Sequence, residues 1–305
     1  MSETMNVFDR RLLRRRRDRA AGRPEQHDFL WREVAERLAD RLDDVKRRFP
    51  LALDLGCHDG VLGRLLGPRG GIETLVQCDL SPAMARAART PGRPTLAADE
   101  EALPFAAGCF DLACSVLSLH WTNDLPGALL QIRQALKPDG LFLAAMLGGE
   151  TLHELRGALM QAEIELEQGA SPRVSPFAEL RDAGGLLQRA GFALPVVDRD
   201  TITVTYPHPL ALMAELRAMG ESNAVQARLR RPTRRGTLLR AAQLYQEAHG
   251  DAGGRVPASF QVIYMTGWAP HASQQQPLKP GSAAARLAEA LGAEEVSAGE
   301  KAEPR

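Results

Sequence analysis

The segment Asp54-Leu55-Gly56-Cys57-His58-Asp59-Gly60 closes an apolar run, Leu51–Leu55, and leads straight into a helical pattern from Val61. Glycine at a strand-to-helix turn lets the backbone come within contact distance of a ligand, and the first amides of the helix favour a carboxylate or phosphate. Asp79 follows the next apolar run, Thr74–Cys78, where a carboxylate can accept both hydroxyls of a ribose. Asp99 follows a third, Thr95–Ala98, placed for the amino edge of an adenine, with Glu100 and Glu101 beside it. A dinucleotide would want the G-x-G-x-x-G spacing that admits a pyrophosphate. That spacing is absent, so the pattern points to one adenosine unit without phosphates.

A second set of residues could face a substrate. His120 and Trp121 follow the apolar run Phe110–Leu117, at the end of a strand where a transferred group would lie. His120 reads either as a general base or as strand-end packing, and Trp121 as a pocket wall. Asn123 and Asp124 are N-cap residues for the helix that follows. Glu221 and Asn223, in Met219-Gly220-Glu221-Ser222-Asn223, close a helix in a region expected to fold over the site, where Glu221 could pair with an arginine side chain. Phe8, Asp9 and Arg10 could bring an N-terminal helix down as a gate. A metal reading was sought in His249-Gly250-Asp251, with His271 beyond, but its Gly-rich setting between a helix and a strand reads as a polar loop. No metal site is expected.

Positioning these side chains requires short apolar strands joined by helices, the alternation of a parallel sheet. Strands are expected at 51–55, 74–78, 95–98, 110–117, 141–147, 196–205 and 259–268. Helices are expected at 61–66, 83–88 (opened by Ser81-Pro82), 125–136, 151–168, 177–190, 209–219 and 237–248. Lys137-Pro138-Asp139-Gly140 carries turn chemistry. Residues 1–48 form a helical approach in which Phe29, Leu30, Val34, Leu38 and Leu42 make a buried stripe. The arginines at 10, 11, 14–17 and 19 read as a solvated face, a docking surface for an acidic partner, or a transit-peptide remnant. Asp9, Asp18 and Glu25 count against the last. The expected organisation is a helical segment 1–48, a Rossmann-like core 49–148, a helical lid with the last two strands 149–269, and a disordered tail 270–305.

The bulk numbers agree with such a protein. A chain of 305 residues, 44% hydrophobic, can build its own core, and 38 Lys+Arg against 38 Asp+Glu leave no cationic excess for a dedicated nucleic-acid surface. No apolar run is long enough to span a bilayer, though peripheral association stays open. Cys57, Cys78, Cys109 and Cys114 form no C-x-x-C pair and read as reduced thiols.

From Leu51 to Leu147 the chain resembles the class I S-adenosylmethionine (SAM)-dependent methyltransferases, through DLGCHDG, QCDLS, ADEEALPF before FDLACS, and LKPDGLF in that order. The resemblance implies an α/β, Rossmann-like fold with a mostly parallel seven-stranded sheet and helices on both faces. It also implies SAM as cofactor, held by Asp54, Gly56, His58, Gly60, Asp79, Leu80, Asp99, Glu100 and Ser115. His58 stands where the family has its middle glycine, so its imidazole is expected either to crowd the methionine end of the cofactor or to reach its carboxylate. Asn6–Arg10, Ser115–Pro126, Met146–Arg156, Met219–Asn223 and Val256–Trp268 are similar to a narrower group, the mitochondrial complex I assembly factor 5 proteins. That likeness implies a SAM-superfamily arginine hydroxylase acting on an iron–sulfur subunit of complex I, with His120 and Glu221 as catalytic candidates and Trp121, Asn223, Phe8 and Arg10 near the substrate. Because the match begins at Asn6, it implies a bacterial, cytoplasmic relative. A more distant similarity, to malonyl-acyl-carrier-protein O-methyltransferases, implies O-methylation instead. A cofactor-binding assembly chaperone without turnover is the third reading.

Overall fold

A computed structural model describes residues 6–22, 27–275 and 287–293. Two helices lead in, α1 (Arg10–Ala20) and α2 (Phe29–Asp43). The core then alternates β1 (Leu51–Leu55), α3 (Val61–Leu66), β2 (Thr74–Asp79), α4 (Pro82–Ala87), β3 (Thr95–Ala97), β4 (Phe110–Val116), α5 (Leu125–Ala135) and β5 (Leu136–Leu147). Next come α6 (His153–Glu167), α7 (Leu180–Arg189), β6 (Ala193–Tyr206), α8 (Pro209–Ala218), α9 (Arg235–His249) and β7 (Val256–Trp268). The sheet order is β3-β2-β1-β4-β5-β7-β6, with β1 to β5 parallel and β7 antiparallel to both its neighbours. This is the Rossmann-like α/β fold expected. Residues up to Pro270 form one compact unit; a second, from His271, includes the short helix α10 (Leu287–Leu291). Of the tail expected to be disordered from 270, residues 276–286 and 294–305 lie outside the described residues. No helix among them is long and apolar enough to cross a membrane.

Alternation along the central strands builds a core on each face. On β5, Leu141, Leu143, Ala145 and Leu147 pack with α2, α6, α8 and α9, while Phe142, Ala144 and Met146 pack with α5 and α7. Both faces are apolar because helices cover both, as parallel strands require.

Several boundaries differ by up to three residues, and a larger difference is at the start of β5. The expected turn at Lys137–Gly140 lies inside β5, which starts at Leu136 opposite Phe110 and shifts register before Leu112, with Asp139 at φ 62. An irregularity at the strand's start absorbs the turn chemistry without ending the pairing.

Candidate functional site

Gly56 opens the turn after β1 at φ +70, and Gly60, at φ +84, is the N-cap of α3. A Cβ on Gly56 would fall on the Ser118 side chain, so close approach is required there by the chain itself. Gly56 and Cys57 donate their amides to the Cys78 carbonyl at 2.8 and 2.9 Å, pinning the turn to the end of β2.

Asp79 sits at that end, fully buried. Its Oδ1 accepts the Ser81 amide at 2.7 Å and its Oδ2 the His58 amide at 3.1 Å. Burial pushes its carboxyl up to about 6, against the pull of Arg17. Asp54, bonded to Gln77 Nε2 at 3.2 Å, is pushed up to about 7, chiefly by burial. The His58 imidazole is engaged on one side within the chain. It stacks on Trp31 at 4.3 Å and donates from Nε2 to the Val116 carbonyl at 2.9 Å. Burial, then Arg17, brings its pKa down to about 4, so the ring is neutral. His58 takes part in the loop through its backbone.

The arginine run is not a solvated face throughout. Arg17 is completely buried, with both terminal nitrogens donating to Ser118 Oγ at 3.2 Å and Nη1 lying 3.6 Å from Asp79 and 3.5 Å from Glu100. Arg10 donates to Asp99 at 2.5 Å, to Glu100, and to the Trp121 carbonyl at 3.2 Å. Burial alone would raise Glu100, but Arg10 and Arg17 outweigh it and bring it down to about 2. Asp99, expected at the amino edge of an adenine, and its neighbour Glu100 are thus engaged by α1; Leu80 packs beside Phe8, Leu13 and Trp121. The outward residues Arg11, Arg14, Arg15 and Arg19 are exposed.

His120 and Trp121 lie in a short 3-10 turn after β4. Both meet Glu221: Trp121 Nε1 donates to its Oε2 at 2.7 Å and His120 Nε2 approaches the same oxygen at 3.4 Å. Burial works against the Glu221 carboxylate, yet His120, Arg17 and His58 together hold its pKa below the ordinary value. Asn223 bonds within the chain: its side-chain amide donates to the Pro172 carbonyl and accepts from the Val225 amide. Asp124 caps α5 as expected, whereas Asn123 clasps the backbone of Phe8, whose ring meets Trp121 edge-on at 5.3 Å. The His120 ring meets Phe177 at 5.5 Å. Phe177 separates an outer pocket of about 450 Å³, lined also by Met160, Val174, Glu179 and Val225, from a void of about 30 Å³ that reaches Glu221. His249 and Asp251 stay apart from all of this: Asp251 accepts loop amides from Gly253 and Arg255.

The cradle suits the chemistry of adenosylmethionine. Asp54 Oδ1, His58 Nδ1 and Ser115 Oγ are buried without a hydrogen-bond partner around the ends of β1 and β4, alongside the clamped Asp79 carboxylate. Such orphaned groups fit a polar ligand. The Arg17 guanidinium stands in the same place, between Asp79, Glu100 and Ser118.

A methyltransferase-domain family model matches residues 53–144. The arginine-hydroxylase NDUFAF5, mitochondrial, of Danio rerio is 48% identical over 92% of this chain and 88% of its own length. The chain belongs to the NDUFAF5 family. A malonyl-[acyl-carrier protein] O-methyltransferase of Halorhodospira halophila is 38% identical over 86% of the chain and 88% of its own. A candidate methyltransferase from Bacillus halodurans shares the fold at a TM-score of 0.55 and 14% identity, covering 77% of this chain and 99% of that one. The NDUFAF5 likeness therefore runs well past the matched domain, covering 92% of the chain.

Two features of this NDUFAF5-family site escaped sequence reasoning. Ser118, which links Arg17 to Glu100, follows the strand motif and carries no signal of its own. Arg17 did carry one: Arg10, Leu13, Arg17 and Ala20 share one helix face, and the two apolar members mark that face as buried.

Proposed function

We propose that the protein binds SAM in the cradle of Asp54, Gly56, Asp79, Asp99 and Glu100 and modifies an arginine side chain of a protein substrate, an iron–sulfur subunit of respiratory complex I. The observation that carries this reading is the pairing of a buried, backbone-clamped Asp79 at the end of β2 with the His120–Glu221 contact after β4, two strands over in the sheet. The NDUFAF5 relatives, named arginine-hydroxylases, support arginine as the target. The O-methyltransferase relative keeps a carrier-protein substrate as the second reading.

When bound, SAM supplies a methyl group on a positively charged sulfur. The residues of this chain supply the rest. Asp79, ionised above about pH 6, would accept ribose hydroxyls once Arg17 moves off it. Phe177 and Trp121 wall the approach to His120 and exclude water. With Nε2 turned to the Glu221 carboxylate, the unpartnered Nδ1 of His120 is free to accept a proton, and Glu221 offsets the resulting charge. An arginine carried through the outer pocket would meet that pair on passing Phe177. Hydroxylation would also need an electron source and activated oxygen.

Calorimetric titration of SAM into wild type and Asp79→Ala tests the cofactor site: binding is expected for the first and loss for the second. Mass spectrometry of a complex I subunit incubated with protein and SAM, and in a second arm also with dioxygen and an electron donor, reads the reaction, with one added CH2 for methylation and one added oxygen for hydroxylation. Methylation of a carrier protein alone would transfer the assignment to the second reading.

A further inference from the structure

The cradle that should grip an adenosine already holds two cations of the chain itself. Asp79, Asp99, Glu100 and Glu101 gather at the ends of β2 and β3, and like charges so close repel unless cations sit among them. Arg17 spans Asp79, Glu100 and Ser118 with its planar fork, and Arg10 spans Asp99, Glu100 and the Trp121 carbonyl. This is multi-point recognition that guanidinium permits and ammonium does not. The grip is not saturated, because Nε of both arginines is buried without a hydrogen bond.

We infer that this acid cluster is a binding site for arginine side chains, filled by Arg10 and Arg17 of α1, so that adenosine and guanidinium contend for the same carboxylates. The inference rests on the cofactor reading for its adenosine half only. SAM, with a sulfonium and an ammonium against one carboxylate, is itself a cation, so either occupant relieves the repulsion. Arg17 Nη1, 3.6 Å from Asp79, sets a cation beside the carboxylate that a ribose would use. The helix is held by contacts outside the cluster that can yield separately. The Asp9 amide donates to the Ala224 carbonyl at 2.7 Å, Arg16 donates to the carbonyls of Ser222 and Asn223, and Asp18 accepts from Ser81 Oγ at 2.6 Å. The first two grip the loop just after Glu221. Withdrawal of α1 would therefore free the cradle and loosen that loop together.

Hydrogen exchange of the α1 amides in the full chain tests this, read with SAM, with Nα-acetyl-arginine methylamide, and with its neutral citrulline analogue. Wild type is compared with Arg16→Ala, which weakens α1 docking without touching the cradle. The expected result is faster α1 exchange with SAM and with the arginine probe but not with the citrulline one, and about three- to tenfold tighter SAM binding by Arg16→Ala. Slower α1 exchange with SAM, or weaker SAM binding by Arg16→Ala, would make α1 a cover that helps hold the cofactor and would overturn the inference. An effect of the arginine probe without one of SAM would sink the cofactor reading and leave the arginine site standing. No effect of either would sink the arginine site.

Discussion

Asp54 is held near 7 when folded, mainly by burial, against an ordinary value of 3.8. A carboxyl raised on folding contributes stability below pH 3.8 that is lost as pH rises through about 7. Asp54→Asn keeps an oxygen for Gln77 and removes the charge. Relative to wild type it is expected to gain on the order of 2–4 kcal/mol between pH 5 and pH 8, read from urea midpoints. An equal effect at both pH values would mean that Asp54 is not protonated in the fold. At the other end of the site, Glu221→Gln can still accept from Trp121 but cannot offset a charge on His120. The modification rate should fall by about 10- to 100-fold with SAM affinity unchanged, and a parallel loss of affinity would place Glu221 on the cofactor instead. Residue types at strand ends were readable because the cradle acids follow apolar runs. Their partners were not. Glu100 and Arg17 are 83 positions apart, and local sequence says nothing of which acid a distant guanidinium will reach.

Elements were the most legible part, since strand alternation and cap residues act within a few residues of themselves. Ser81 caps α4, accepting the Met84 amide at 3.1 Å, and Asp124 caps α5, as their residue types implied. The glycine turn is the instructive case. Its glycines were expected to make room for a ligand, whereas Gly56 makes room for Ser118. Gly56→Ala therefore combines a side chain at φ +70 with a collision, and it should cost about 2–4 kcal/mol in chemical denaturation even without SAM. A change that appeared only with SAM present would return the glycine to the cofactor. In α1, Asp9 Oδ1 accepts the Leu12 amide at 2.9 Å and its other oxygen pairs with Arg228. Asp9→Ala should cost about 1 kcal/mol of stability and speed exchange in the first turn of the helix. The reading of the arginine run as a solvated face fails at Arg10 and Arg17 for a physical reason: long arginine stems can fill a buried face when carboxylates wait beneath them.

At the scale of the whole molecule, opposed shifts in one buried cluster should set the pH at which the fold is most stable. Glu100, depressed to about 2 from 4.5, contributes stability that is fully present above pH 4.5 and is lost as pH falls toward 2. Asp79 and Asp54, raised to about 6 and 7, act in the other sense, losing theirs as pH rises through those values. The three together predict a stability maximum at about pH 3.5–4, just where the aspartates begin to lose their contribution, with the acid limb carried by the clasp of Arg10 and Arg17 on Glu100. Glu100→Gln keeps the shape and removes the charge. It should flatten the acid limb by up to about 3 kcal/mol while leaving the alkaline limb in place. Because the same two arginines tie α1 to the sheet, exchange of the α1 amides should quicken over that acid window before the central strands open. Simultaneous opening of helix and sheet would show that Leu13 and the loop contacts, and not the arginine clasp, hold α1 in its place.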